Sequence, residues 1–169
     1  MSASTASIRA FIAAGLVLVG SGMAYAQSDN RFESAQDQLV VRATERQLAD
    51  APEEYFTGSV ALAPIWSPTP GMKGSAGQVV FQPGARSHWH THPTGQYLYI
   101  LSGTGLTQQW GKPIQTVRAG DVVWCPPGVK HWHGAAPDTS MSHLAVTGMT
   151  EAGNVNWLEE VTDGQYPSR

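Results

Sequence analysis

His88-Trp89-His90-Thr91-His92, followed by Pro93-Thr94-Gly95-Gln96 and Tyr97-Leu98-Tyr99-Ile100-Leu101, is the stretch on which the reading of this chain turns. In an extended strand, side chains of like parity share a face, so His88, His90 and His92 are expected on one side and Trp89 and Thr91 on the other. Imidazoles two residues apart can reach one ion in front of the strand, and a turn at Pro93-Thr94-Gly95 can bring Gln96 round to the same point. The alternative is a His-rich surface strand without chemistry. A second pair, His131 and His133 in Lys130-His131-Trp132-His133-Gly134, weighs against it.

Outward from this stretch the chain is a succession of strand-sized runs: residues 58–63, 75–81, 96–101, 106–110, 114–117, 121–125, 131–135 and 142–149. Between them stand Pro64, Pro68, Pro70 and Gly71, then Pro83-Gly84, Gly103-Thr104-Gly105, Gly111-Lys112-Pro113, Ala119-Gly120 and Pro126-Pro127-Gly128. This spacing predicts an all-β sandwich or barrel. Residues 155–161 read as a last strand, and Thr162-Asp163-Gly164-Gln165 has the spacing of a capping box, which predicts a short terminal helical turn. Residues 38–43 are compatible with a short first strand, and 44–51 have a weak helical pattern that Pro52 interrupts. We therefore read residues 27–50 as a flexible leader with that strand and 51–169 as the barrel.

The N-terminus is set apart. Arg9 precedes the apolar run 10–19, and Ala24-Tyr25-Ala26 follows as a small-x-small cleavage site, so residues 1–26 read as a secretory signal peptide. The apolar run is short of the roughly 20 residues of a spanning helix. The expectation is an exported protein, periplasmic or secreted, with a single mature domain and no membrane attachment after cleavage. Loss of Arg9, the sole charged residue of that leader, takes the formal net charge from −3 to −4. No Lys/Arg cluster appears anywhere, so nucleic acid and anionic membrane are excluded as expected partners. Cys125 is the single cysteine, so no intrachain disulfide can form, and its place in Val122-Val123-Trp124-Cys125 predicts a small buried hydrophobe.

Two motifs carry a resemblance. Gly84-x5-His90-x-His92-x3-Gln96-x6-Gly103 and Gly120-x5-Pro126-x-Gly128-x2-His131 resemble the paired signatures of the cupin superfamily, whose fold is a double-stranded β-helix, a jelly-roll barrel with a metal inside. The resemblance implies that His90, His92, Gln96 and His131 bind a divalent metal. Interior and exterior positions alternate in a small barrel, as two histidines separated by one residue require. Two positions depart from the pattern: Gln96 stands where cupins commonly have glutamate, and Ala135 where asparagine often ends the second motif. Three imidazoles and an amide are all neutral, so a divalent ion would keep its full charge as a Lewis acid, and the lack of an anionic ligand argues mildly against oxygen activation.

A narrower resemblance runs from about residue 51 to 166. Tyr55-Phe56-Thr57-Gly58, Trp89-His90-Thr91-His92-Pro93, Gly95-Gln96, Gly120-Asp121-Val122-Val123-Trp124, Lys130-His131-Trp132-His133-Gly134-Ala135-Ala136-Pro137 and Met141-Ser142-His143-Leu144-Ala145 are similar to bacterial manganese cupins of the hydroxynitrile lyase type. That similarity implies manganese as the metal, although a His-rich site also accommodates iron, nickel or zinc. It places His143 in the pocket as a proton-transfer group, acting near its unperturbed pKa of about 6.5, with His133 beside it. The function implied is a lyase acting on a small hydroxylated substrate, as in cyanohydrin cleavage or synthesis. A dioxygenase of small aromatics or diketones and a non-catalytic small-molecule binding barrel are the alternatives. Trp89, Trp124 and Trp132 are expected in the core or the pocket wall. Arg86 is read either as an anion-holding group at the mouth or as half of a surface salt bridge. A homodimer or homotetramer is expected, because a small barrel with Trp-rich strands has more apolar β-surface than one chain covers.

Overall fold

The computed structural model describes residues 37–167; the segment read as a signal peptide, residues 1–26, and the first part of the leader, 27–36, lie outside them. Among the described residues the regular structure is one 3-10 turn, Ala43–Glu45, and twelve strands joined by antiparallel pairings. One half of the sheet runs from β1 (Ala49–Asp50) through β3 (Val60–Trp66), β4 (Gly74–Phe81) and β11 (Met141–Gly148) to the first part of β7 (Gln96–Gln109) and the edge strand β9 (Val122–Cys125). The other half runs from β8 (Gln115–Arg118) through the second part of β7 to β10 (His131–Ala135), β5 (Arg86–Ser87) and β2 (Phe56–Thr57). Along the same side of β10 lies β6 (His90–Thr91), which in turn pairs β12 (Asn156–Trp157). The apolar core fills the space between the halves, with Phe81, Leu98, Ile100, Ala135 and Met141 almost wholly buried.

The shared strand β7 replaces two expected ones. Gly103-Thr104-Gly105 reads as a turn, yet the chain stays extended from Gln96 to Gln109 and bends at Gly103, passing from β11 and β9 to β8 and β10. Gly103 has φ +76°, and a Cβ there would stand 1.9 Å from the Ser140 carbonyl oxygen. Glycine is required at this corner because two backbones touch, a role that its sequence context does not separate from that of a turn.

The histidine stretch is also reorganised. It is divided into β5 and β6 at His88-Trp89, where the Trp89 N–H donates to Glu159 O and the Trp89 carbonyl accepts from the Leu158 N–H, both at 2.9 Å. The expected single face of His88, His90 and His92 is thereby broken. His88 instead lines an open groove of about 680 Å³ with Asp50, Glu53, Phe56, Thr57 and Glu160.

The C-terminal segment explains why all five residues of β10 are buried. Only Asn156–Trp157 of the expected strand 155–161 pairs as β-structure. Beyond it the chain lies over the outer side of β10, forming a second apolar cluster of Trp89, Leu106, Trp132, Val161 and Tyr166. The Tyr166 hydroxyl donates to Ala135 O at 2.7 Å. The buried Arg86 guanidinium donates to Val161 O at 2.9 and 2.8 Å and meets Asp163 at 2.7 Å. The expected terminal turn forms, with Tyr166 N bonded to Thr162 O and the Gln165 amide oxygen reaching back to Thr162 N at 3.0 Å. Two further expectations are corrected. Residues 38–43 carry no strand, the first pairing being Ala49 and Asp50 with Leu62 and Ala61. Trp124 is not in the core: its indole packs tilted against Tyr97, centroids 4.4 Å apart, at the outside of the barrel, whereas Trp89 and Trp132 are buried as expected.

Candidate metal centre

Four short pieces of chain bring the site together. His90 ends opposite His131 in the β6–β10 pairing, so the two rings face each other with centroids 4.3 Å apart. His92 follows β6 in a turn whose carbonyl accepts the Gly95 and Gly128 N–H groups at 3.3 and 2.9 Å. Gln96 opens β7, directly opposite Thr147 on β11 and Cys125 on β9. The ligand atoms of His90, His92 and His131 lie within 4.8 Å of one another, all three residues being buried.

Hydrogen bonding sets the chemistry of these rings. The Nδ1 atoms of His90, His92 and His131 stand 2.8, 2.6 and 2.9 Å from the carbonyl oxygens of His88, Asn154 and Val129. A carbonyl only accepts, so each Nδ1 carries the proton and each Nε2 keeps its lone pair. Nε2 of His92 and of His131 are buried with no protein partner, and so is the amide oxygen of Gln96, whose Nε2 donates to Thr147 Oγ1 at 3.2 Å. Buried polar atoms without a partner are costly and uncommon. The imidazoles of His90, His92 and His131 converge from separate elements on one place, Gln96 acts on His92, the donor types suit a divalent ion, and the backs of the rings are held as metal-ligating histidines usually are. The residues present therefore fit a metal.

Burial keeps the rings neutral. Desolvation, then the neighbouring His131 and His92, hold His90 well below the ordinary histidine range. Desolvation takes His131 to about 4 and lowers His92 against the opposing pull of the Asn154 carbonyl and Gln96. Neutral imidazole is the form that binds metal.

Beside this set lies a second histidine pair. His133 shares parity with His131 on β10, its ring 5.2 Å from that of His90, and its Nδ1 is 3.2 Å from Nε2 of His143 on β11. The far nitrogens, Nε2 of His133 and Nδ1 of His143, are buried without partners. Phe81 packs edge-on against His133 and tilted against His143, at 5.8 and 5.6 Å. The expectation of an unperturbed His143 is corrected: burial takes it down to about 3, and burial followed by His143 takes His133 well below the usual range.

Other expected residues fall outside the cluster. Arg86 is turned to the C-terminal segment, stacked 4.8 Å over Tyr166 and paired with the exposed Asp163, so the ion pair forms but from a buried guanidinium and not a surface one, and the mouth reading does not hold. Cys125 is buried beside Gln96 with its thiol pushed up to about 12, which leaves it inert. Three contributors escaped sequence reasoning. Thr147 orients Gln96, the Asn154 carbonyl holds His92, and Trp157 packs 4.8 Å from His90 while stacking on Tyr55.

Comparison with known proteins agrees with this geometry. Residues 77–147 match the Cupin_2 family, described as a cupin domain. An (R)-mandelonitrile lyase of Granulicella tundricola is 44% identical over 116 residues, which are 68% of this chain and 88% of that enzyme. Among solved structures, a cupin-like protein of Thermotoga maritima is 38% identical with a TM-score of 0.67, the match covering 77% of this chain and 95% of that one. A predicted oxalate decarboxylase of the same organism is 26% identical with a TM-score of 0.58, over 71% of this chain and all of that one.

Proposed function

The chain belongs to the cupin family, and from that premise we propose that it is a metal-dependent lyase that breaks or makes a carbon–carbon bond beside a hydroxyl group, with a cyanohydrin as its substrate. The observation that carries the reading is the neutral His133–His143 pair set against a convergent, partnerless ligand set in an apolar barrel interior. The similarity to a protein named (R)-mandelonitrile lyase points the same way. A divalent ion, manganese in this proposal, would be held by His90, His92, Gln96 and His131 and would supply Lewis-acid polarisation of the substrate's hydroxyl or nitrile.

The protein's own part is proton handling and exclusion of water. The imidazole pair accepts the hydroxyl proton at one of its free nitrogens, and the 3.2 Å contact lets the two rings share it. As the carbon–cyanide bond breaks, its electron pair leaves with cyanide, the hydroxyl oxygen becomes a carbonyl, and the proton passes from the pair to cyanide. Burial keeps the pair neutral at operating pH, so that a ring lone pair is available to take the proton. Phe81 and the other apolar side chains keep bulk water from competing for it.

The test is turnover of a cyanohydrin by the metal-loaded mature chain with and without oxygen. The proposal expects equal rates in both, and a 10²–10⁴-fold loss in His143→Ala, of the order typical for a general base, with metal content unchanged. Oxidation of aromatics or diketones that stops without oxygen would replace it by a dioxygenase, and ligand binding without turnover by a binding barrel.

A further inference from the structure

All three converging imidazoles are braced by one stretch of chain, residues 154–166. The Asn154 carbonyl accepts from His92 Nδ1 at 2.6 Å. Trp157 stands opposite His90 in the β6–β12 pairing, its ring 4.8 Å from that imidazole and itself stacked on Tyr55 at 4.7 Å. His131 is braced through its strand. The next residue of β10, Trp132, belongs to the outer cluster with Val161 and Tyr166, and the Tyr166 hydroxyl donates to Ala135 O farther along β10. Regular pairing accounts for little of this attachment, since only Asn156–Trp157 is β-structure. Beyond it the stretch is held by the Leu158 and Trp89 amides, which bond to Trp89 O and Glu159 O, and by Thr57 on Glu160 at 2.8 Å. Arg86 completes the attachment by donating twice to Val161 O. The carboxylate that meets Arg86, that of Asp163, is 98% exposed. If the stretch lifts, water replaces both acceptors, so this buried charge opposes release less than an apolar anchor would.

We propose that residues 154–166 are a clasp on the ligand set, so that docking of this segment and binding of a divalent ion favour each other. The inference rests on the reading of His90, His92 and His131 as metal ligands and is independent of the lyase reaction. With the segment docked, the Asn154 carbonyl keeps the proton of His92 on Nδ1 and its lone pair on Nε2, and Trp157 limits the swing of the His90 ring. With it lifted, His92 loses that acceptor, His90 loses its neighbour, and β10 loses the cover on the side opposite His131 and His133. The lifted arrangement therefore holds the ligands less well. A group that binds only the docked arrangement stabilises docking by the same factor by which docking strengthens its binding. Segments held by few bonds to the rest of a fold are those that open locally without global unfolding.

Hydrogen exchange of the metal-stripped protein, with and without saturating manganese, reads the docking. The Trp89 and Leu158 amides, whose bonds close the segment onto the barrel, should slow about 5-fold or more, the lower end of such couplings. The Gly120 amide, bonded to Ile100 O in the turn between β8 and β9, should not change. Arg86→Lys keeps the charge but loses the two-pronged hold on Val161 O, and it should bind manganese about 5-fold or more weakly by calorimetry. Val117→Ala, in the core on β8, should lower the melting temperature while leaving manganese affinity unchanged, which separates positioning from general destabilisation. If Arg86→Lys does not fold, the exchange measurement on the unaltered protein decides alone. Manganese binding without slowing at Trp89 and Leu158, equal affinities for Arg86→Lys and parent, or an equal loss in Val117→Ala would overturn the clasp. A parent protein that binds no manganese would overturn the ligand reading and the clasp with it.

Discussion

Thr147→Val is the most direct test of how the ligand set is held. The Gln96 amide is buried, its Nε2 donates to Thr147 Oγ1 at 3.2 Å, and its oxygen has no protein partner. Valine preserves the shape and removes the acceptor. The Gln96 N–H is then left unsatisfied in the interior, at a cost of about 1–3 kcal/mol, unless the amide turns over and presents nitrogen where oxygen should coordinate. Either outcome weakens the site. Loss of such an outer hydrogen bond typically costs about 10–100-fold in metal affinity, which corresponds to about 1.4–2.8 kcal/mol. Titration calorimetry with manganese on the metal-stripped protein measures it. Thr147→Ser, which keeps the hydroxyl, should bind nearly as the parent does. Equal affinities for parent and Thr147→Val would show that Thr147 does not orient Gln96, and the assignment of Gln96 as a ligand would lose its support.

Three other outcomes are expected. His131→Ala removes one of three converging imidazoles and should abolish stoichiometric divalent binding and the thermal stabilisation that metal gives; a full metal complement by elemental analysis of a His90→Ala, His131→Ala double variant would contradict the site. For metal-free protein, His143 has a folded pKa of about 3 against about 6.5 unfolded, so the unfolded chain binds more protons between these values. Its contribution is therefore complete above about pH 6.5 and declines on acidification, by up to about 1.4 kcal/mol per pH unit. Urea midpoints that stay flat from pH 7 to pH 5 would count against it. Gly103→Ala should be far more damaging than Gly111→Ala by thermal melting: both have φ near +75°, but the new Cβ meets Ser140 O at 1.9 Å in the first and nothing within 4 Å in the second.

What the sequence makes readable is whatever alternation and turn chemistry encode locally. His90 and His92, two apart on either side of one residue, and His131, fixed by Gly128 three residues earlier, needed no long-range information to be singled out, and the structure brings these three rings together. The bend at Gly103 was not readable, because a glycine that ends a strand and one that lets Ser140 approach look alike. Nor was the downward pull on His143, which depends on complete burial beneath Phe81 more than on its own neighbours in the chain. Asn154 and Val129 act through main-chain carbonyls, which every residue possesses, so no residue type announces them.

Thr147 stands between these cases. It shares parity with His143 on one strand, so recognising residues 142–149 as a strand already puts its hydroxyl on the histidine side. Its partner is another matter. Pairing of β11 with β7 begins with Met141 opposite Gly103 and Ser142 opposite Ser102, and continued without interruption it would set Thr147 opposite Tyr97. Between Ser142 and His143 the register slips by one residue at Leu101, so that His143 faces Ile100 and Thr147 faces Gln96. A one-residue slip exchanges the faces of a strand. The same bulge therefore turns Gln96 inward to Thr147 and Tyr97 outward, and a single irregularity in the ladder, invisible to periodicity, sets both the candidate fourth ligand and the exposed side of β7.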